Sequence, residues 1–226
     1  MPCVHAADYK KDSSAVIYTA ADGSRLLRLG GSRSWRNNNP GNMRYTEFTR
    51  DQGAIGTAGK FAVFPSVEIG RGALSLLLRG TKYFKLSISK AISRYAPPDE
   101  NDTDNYERLI TKLTGLDVTR RLSDLNSTEF AKVVSAIETI EGYTAGKEIA
   151  VKRVLSTKTD RKHLTRFLIE GESIYISAAE AISRAELGEI DAVVVRTASG
   201  VKYLRARADG VNENNFGSIA EIDDES

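Results

Sequence analysis

The stretch RSWRNNNPGNMRY, Arg33 to Tyr45, holds four asparagines, a proline and a glycine within thirteen residues. Asn and Gly favour turns, and Pro removes a backbone donor, so neither a helix nor a strand accommodates them at this density. The chain has to be built around a loop here. Two readings of that loop are open. Amide side chains beside aromatic faces suit a sugar-binding cleft, with Asn37, Asn38, Asn39 and Asn42 as donors and acceptors and Trp35 or Tyr45 as the platform. The plainer reading is a multiple turn whose amides serve their own backbone.

Punctuation elsewhere sets out the organisation. AVIYTAADGSRLLRL, Ala15 to Leu29, places two apolar runs around Asp22-Gly23, which predicts a hairpin. KFAVFPS reads as a short strand ending at Pro65, and Ser66 caps a helix through VEIGRGALSLLLRG. A helix from about Ser87 to Tyr95 stops at Pro97-Pro98. The cluster DENDTD, Asp99 to Asp104, reads as caps for an amphipathic helix that closes near Gly115. Asn126 and Glu129 form a capping box ahead of EFAKVVSAIETIEG, where Phe130, Val133, Val134, Ile137 and Ile140 make an apolar stripe.

Beyond residue 150 the pattern changes. Ser177 to Glu180 is a capping box for a short helix, EIDAVVVRT and VKYLRAR flank a turn at Ala198–Gly200, and DGVNENNFGSIA is a second amide-rich loop. The resulting division is a hairpin extension over 1–30, a mainly helical domain over 31–150, and a small α/β unit over 151–226. The expected class is α+β.

Composition narrows the function. At 226 residues the chain can bury a real core, and its net charge of +2 gives no overall nucleic-acid or membrane footprint. The basic run from Lys147 to Arg166 is either a solvated face or a surface for an anionic polymer. Cys3 is the only cysteine, and His5 and His163 sit in no HExxH pattern. No disulfide, metal or other cofactor is expected. No apolar run has the length of a membrane span, and MPCVHAADYKKD is not a signal peptide. A soluble domain cut from a longer chain is the expectation.

Carboxylates remain as the reactive groups. Glu138 and Glu141 share one face near a helix end, which Gly142 closes. A helix C-terminus beside a second acid suits a group that gives a proton to a glycosidic oxygen. A merely solvated acidic helix end is the other reading.

RNNNPGNMRY, KFAVFPSVEIGRGALSLLL, AISRYAPPDENDTDNYERLITKLTG and AIETIEG occur in an order that resembles a lysozyme-like family of peptidoglycan-active proteins in phage virions and type VI secretion effectors. The resemblance covers about residues 33 to 146. VVVRTASGVKYLRARADGVNENNF resembles a small uncharacterised bacterial domain. The first likeness implies cleavage of the glycan strand, with Glu141 as the acid and Glu138 as second choice. It implies a second carboxylate among Glu47, Asp51 and Glu138, and sugar contacts from the loop. Members with His-Glu-Asn-Gly at the last helix differ from this chain. No glutamate precedes Glu47, and the acid-bearing helix comes last, so the inferred arrangement is a circularly permuted one. Peptidoglycan is the expected partner, with an immunity protein or a secretion or virion component beside it. Nucleic acid and membrane insertion are not expected. Delivery by a dedicated system to a target cell wall follows from the same likeness.

Overall fold

The structure is a computed structural model that describes residues 4–10, 14–97, 102–160 and 163–207. Strands β1 (Val4–Lys10), β2 (Ala15–Ala20) and β3 (Arg25–Leu29) come first. The Asp22 carboxylate accepts from the Ser24 N–H (2.9 Å) and hydroxyl (2.6 Å), and Gly23 takes φ +80°, which turns the chain between β2 and β3. A sheet takes these strands and β6 (Lys147–Ala150) in the order β1-β2-β3-β6.

Packing divides the chain into two compact units, residues 1–18 with 28–147 and residues 19–27 with 148–226. The first contains the short helices α1 (Arg33–Arg36) and α2 (Glu47–Asp51) and an antiparallel pair, β4 (Gly56–Ala58) and β5 (Phe61–Val63). Helices α3 (Val67–Arg79), α4 (Ile88–Tyr95), α5 (Thr103–Thr114) and α6 (Ser127–Glu141) follow. Each starts at a side-chain cap: Ser66, Ser87, Asp102 and Asn126 accept from the N–H three residues on. At α6 the box is complete, because Glu129 returns a bond to the Asn126 N–H. Gly115 ends α5 in the left-handed region. Phe64, Leu74, Ile92, Ile110, Phe130 and Ile137 are fully buried at the centre of this unit.

The second unit has β7 (Val154–Asp160), β8 (His163–Ile169) and β9 (Tyr175–Ser177) as one antiparallel sheet, then α7 (Ala178–Leu187), then the antiparallel pair β10 (Val193–Arg196) and β11 (Lys202–Arg205). Ser177 caps α7 by accepting from the Glu180 N–H (3.2 Å). Phe167, Ile169, Ala181, Ile190 and Leu204 form its core.

The expectation of a mainly helical, permuted lysozyme-like domain is corrected here. Helix accounts for 37% and strand for 28% of the structure, with the strands in four small antiparallel sheets. The C-terminal unit is not α/β either, since each of its two sheets is antiparallel and α7 leads from one to the other. β5 falls inside the expected KFAVFPS strand, whereas β4 and β9, of three residues each, are too short to show periodicity, and β7 and β8 mix polar with apolar positions. Asp99 to Asn101 and the loop DGVNENNFGSIA lie outside the described residues.

Candidate active site

The asparagine loop lies against β5. The Phe64 N–H donates to the Asn37 carbonyl and the Ala62 N–H to the Met43 carbonyl, each at 2.9 Å. Asn39 is fully buried; its amide donates to the carbonyls of Met43 (2.8 Å) and Ala62 (3.0 Å), and its oxygen accepts from the Met43 N–H (2.9 Å). Asn38 donates to the Phe64 carbonyl (3.1 Å) and accepts from Arg28 Nη1 (2.6 Å). Two glycines permit the close packing. A Cβ on Gly70 of α3 would run into the Asn38 carbonyl, and one on Gly41 into the Tyr95 hydroxyl and Leu74. That hydroxyl donates to the Gly41 carbonyl.

The same loop is tied to the end of α6. Ser34 Oγ donates to the Gly142 carbonyl, and Ser32 and Thr144 exchange bonds at 2.9 and 3.0 Å. Glu141, the last residue of α6, is thereby brought to Asn42. Asn42 Nδ2 donates to Glu141 Oε2 at 2.9 Å, and the Tyr106 hydroxyl of α5 donates to Oε1 at 3.1 Å. Glu141 lines an open cleft of about 240 Å³ together with Asp102, Asn105, Tyr106, Leu109 and Ile140. Burial pushes the Tyr106 phenol well above its usual range, and the Glu141 charge and Tyr95 add to it. Tyr95 is raised for the same first reason, with Glu141 and Tyr83 contributing. Both phenols therefore remain O–H donors. A carboxyl oriented by two neutral donors on a cleft wall can exchange a proton with a bound oxygen.

The other expected residues lie elsewhere. Glu138 accepts from Arg71 at two points, Nε at 2.9 Å and Nη2 at 2.7 Å, so both its oxygens are engaged. Glu47 and Asp51 stand at the two ends of α2, and neither lines the Glu141 cleft. Trp35 is buried at 6% exposure with the Arg28 guanidinium 4.7 Å over its ring, so it packs beneath the loop and is corrected as a sugar platform. Tyr45 is exposed, its N–H bonded to the Lys60 carbonyl, and it does not line that cleft. Asn37 is buried and lines a different cavity. Asn38 and Asn39 are held by the fold, which leaves Asn42 as the loop amide on Glu141.

Tyr106, Asp102 and Tyr95 were not singled out from sequence. All three lie in the stretch AISRYAPPDENDTDNYERLITKLTG, where Asp102 reads only as a helix cap.

Protein P5 of Pseudoalteromonas phage PM2 is 34% identical over 119 residues, 49% of this chain and 71% of the phage protein. The chain belongs to the P5 family. Residues 147–219 of this P5-family chain also match the model of a protein of unknown function, DUF3892. No solved structure matches it. No helix among the described residues is long and apolar enough to cross a membrane.

Proposed function

We propose that this chain cleaves the glycan strand of peptidoglycan, with Glu141 as general acid. The observation that carries the reading is the Glu141 carboxyl on a cleft wall, oriented by Asn42 and Tyr106 from two other parts of the chain. The glycosidic C–O bond between N-acetylmuramic acid and N-acetylglucosamine breaks as the Glu141 proton goes to the leaving oxygen, and the oxygen of a water or of the sugar's own hydroxyl bonds to the anomeric carbon and returns a proton to the carboxylate. Asp102 lines the same cleft and takes the place of Glu47, Asp51 and Glu138 as second carboxylate, as base or as stabiliser of positive charge on the sugar. No cofactor enters this scheme. Membership in a family that includes a phage protein favours a phage-type lytic module over a secretion effector. Its partners are then peptidoglycan and other phage components, with the cell wall as the site of action.

Purified peptidoglycan incubated with the protein, followed by turbidity and by mass spectrometry of the fragments, tests this. Glu141→Gln should remain folded and lose at least about a hundredfold in cleavage, the scale of a missing general acid. Asp102→Asn keeps a good helix cap while removing the charge, so its rate reports the second carboxylate alone. New reducing ends mean hydrolysis and anhydro ends mean transglycosylation. A folded Glu141→Gln that cleaves normally removes the proposal.

One observation favours a non-catalytic glycan-binding or virion module instead. Each Glu141 oxygen already accepts a hydrogen bond from within the chain, as a structural carboxylate would. Binding to peptidoglycan without any fragments is the outcome that selects this second reading.

A further inference from the structure

A second cavity, of about 190 Å³, lies between the end of α1 and the turn that joins β4 to β5. Arg33, Arg36 and Lys60 line it, with no acidic residue among the lining groups. Phe61 supplies an apolar wall, with the Arg33 guanidinium 4.0 Å and Lys60 Nζ 5.7 Å from its ring centre. Gly59, at the turn, has open space where a side chain would stand.

Asn37 also lines this cavity. It is only 1% exposed, and neither its Nδ2 nor its Oδ1 has a hydrogen-bond partner among the described residues. Its neighbours Asn38 and Asn39 have partners for both ends of the amide. Buried side-chain amides are nearly always bonded, so an open donor and an open acceptor at a cavity wall call for a ligand that brings one of each. An amide does so. A sulfate or a fully ionised phosphate ester brings acceptors only and leaves Oδ1 unmatched. Cationic walls select a negatively charged ligand, and a carboxylate pairs with a guanidinium through two oxygens.

We propose that this cavity binds a carboxylate carried beside an acyl amide, the chemistry of an N-acylated amino acid or the acidic end of a short peptide. Asn37 pairs with the ligand amide, Arg33 and Lys60 face the carboxylate, and Phe61 takes the apolar side group. The cavity shares no lining residue with the Glu141 cleft, and the inference does not rest on the proposed activity.

The test titrates the full chain with N-acetylalanine and follows the amide resonances by NMR. Acetate, which lacks the amide, and N-acetylalanine amide, which lacks the charge, are the comparison probes. The Asn37 side-chain amide and the Gly59 N–H should shift saturably, at an affinity at least tenfold above that of either comparison probe. Arg33→Glu alters an exposed residue and should weaken binding tenfold or more with the spectrum otherwise unchanged. Glu141→Gln should bind like the wild type. Absence of saturable shifts at those two groups, equal affinity for acetate, or unchanged binding by Arg33→Glu overturns the site. Peptidoglycan cleavage by a chain that shows no such shifts leaves the proposed activity standing and removes only this inference.

Discussion

Asn39 and Asn42 carry the same side chain three residues apart, and the structure uses them differently. Asn39 is buried and satisfies two carbonyls and an N–H of the loop and of β5. Its replacement by Ala takes the side-chain partner from the Ala62 carbonyl and the Met43 N–H, while the Met43 carbonyl keeps the Ala62 N–H, at about 1–3 kcal/mol for each buried group stranded. Asn39→Ala should therefore lower the melting temperature clearly, with cleavage per folded molecule near normal. Asn42 is half-buried and donates to Glu141. Asn42→Ser should fold nearly as well and lose activity by about 0.5–1.5 kcal/mol of transition-state stabilisation, since Glu141 loses one of its two orienting donors. Melting curves and lysis rates on the two variants separate the roles. Equal effects on stability and on rate for both variants would remove the distinction. The sequence sets Asn42 apart only in that Pro40-Gly41 can turn the chain to present it, since burial and partners are fixed by β5 and α6, which lie far along the chain. Trp35 shows the same limit. An aromatic beside a polar loop looks like a sugar platform until its ring is found beneath Arg28.

Helices were legible because the signals that start and stop them are local. Ser66, Ser87, Asn126 with Glu129, and Gly115 all stand within one turn of the ends they fix. Only β6 joins its sheet from far along the chain, beside β3, whereas β7 and β8 are chain neighbours whose mixed polar and apolar positions hide their period, and β4 and β9 are too short to show one. The α6 capping box also sets a pH dependence. Arg120 holds the Glu129 carboxylate through Nη1 (2.7 Å) and Nη2 (2.9 Å), with the Asn126 N–H adding a bond at 3.0 Å. These bonds, the Arg120 pair first, lower its pKa from 4.5 to about 2. A carboxylate lowered on folding stabilises the native state above its unfolded pKa, and that contribution disappears as pH falls through the folded value. The window is thus about pH 4.5 down to about 2. Glu129→Gln should be less stable than wild type at neutral pH and the difference should shrink across this window, more weakly in high salt because the pair is solvent-facing. Denaturant titrations of both proteins at several pH values check it. Parallel stability curves would show that the pair contributes nothing.

At the scale of the molecule, the C-terminal unit is not a continuous appendage. It was expected over 151–226, yet residues 19–27 pack with 148–226 in one unit. The Val151 N–H donates to the Arg25 carbonyl at 2.9 Å, and the Arg25 guanidinium pairs with Asp191. The two side chains are 7% and 14% exposed, and Asp191 also accepts from Arg207 Nε at 3.2 Å. A chain cut at residue 160 keeps Arg25 and loses Asp191 and Arg207. Removing the acidic partner of a nearly buried guanidinium is costly, up to about 3–5 kcal/mol. Such a shortened chain should therefore be unstable, and its failure to cleave peptidoglycan would say nothing about catalysis. Asp191→Ala in the intact chain asks the question cleanly. It should lower the unfolding free energy by about 3 kcal/mol in denaturant titration, while cleavage per folded molecule stays normal, because every residue lining the Glu141 cleft belongs to the other unit. An unchanged midpoint would show that Arg25 does not depend on Asp191. A folded Asp191→Ala protein that has lost cleavage would show that the C-terminal unit contributes to the chemistry and not to stability alone.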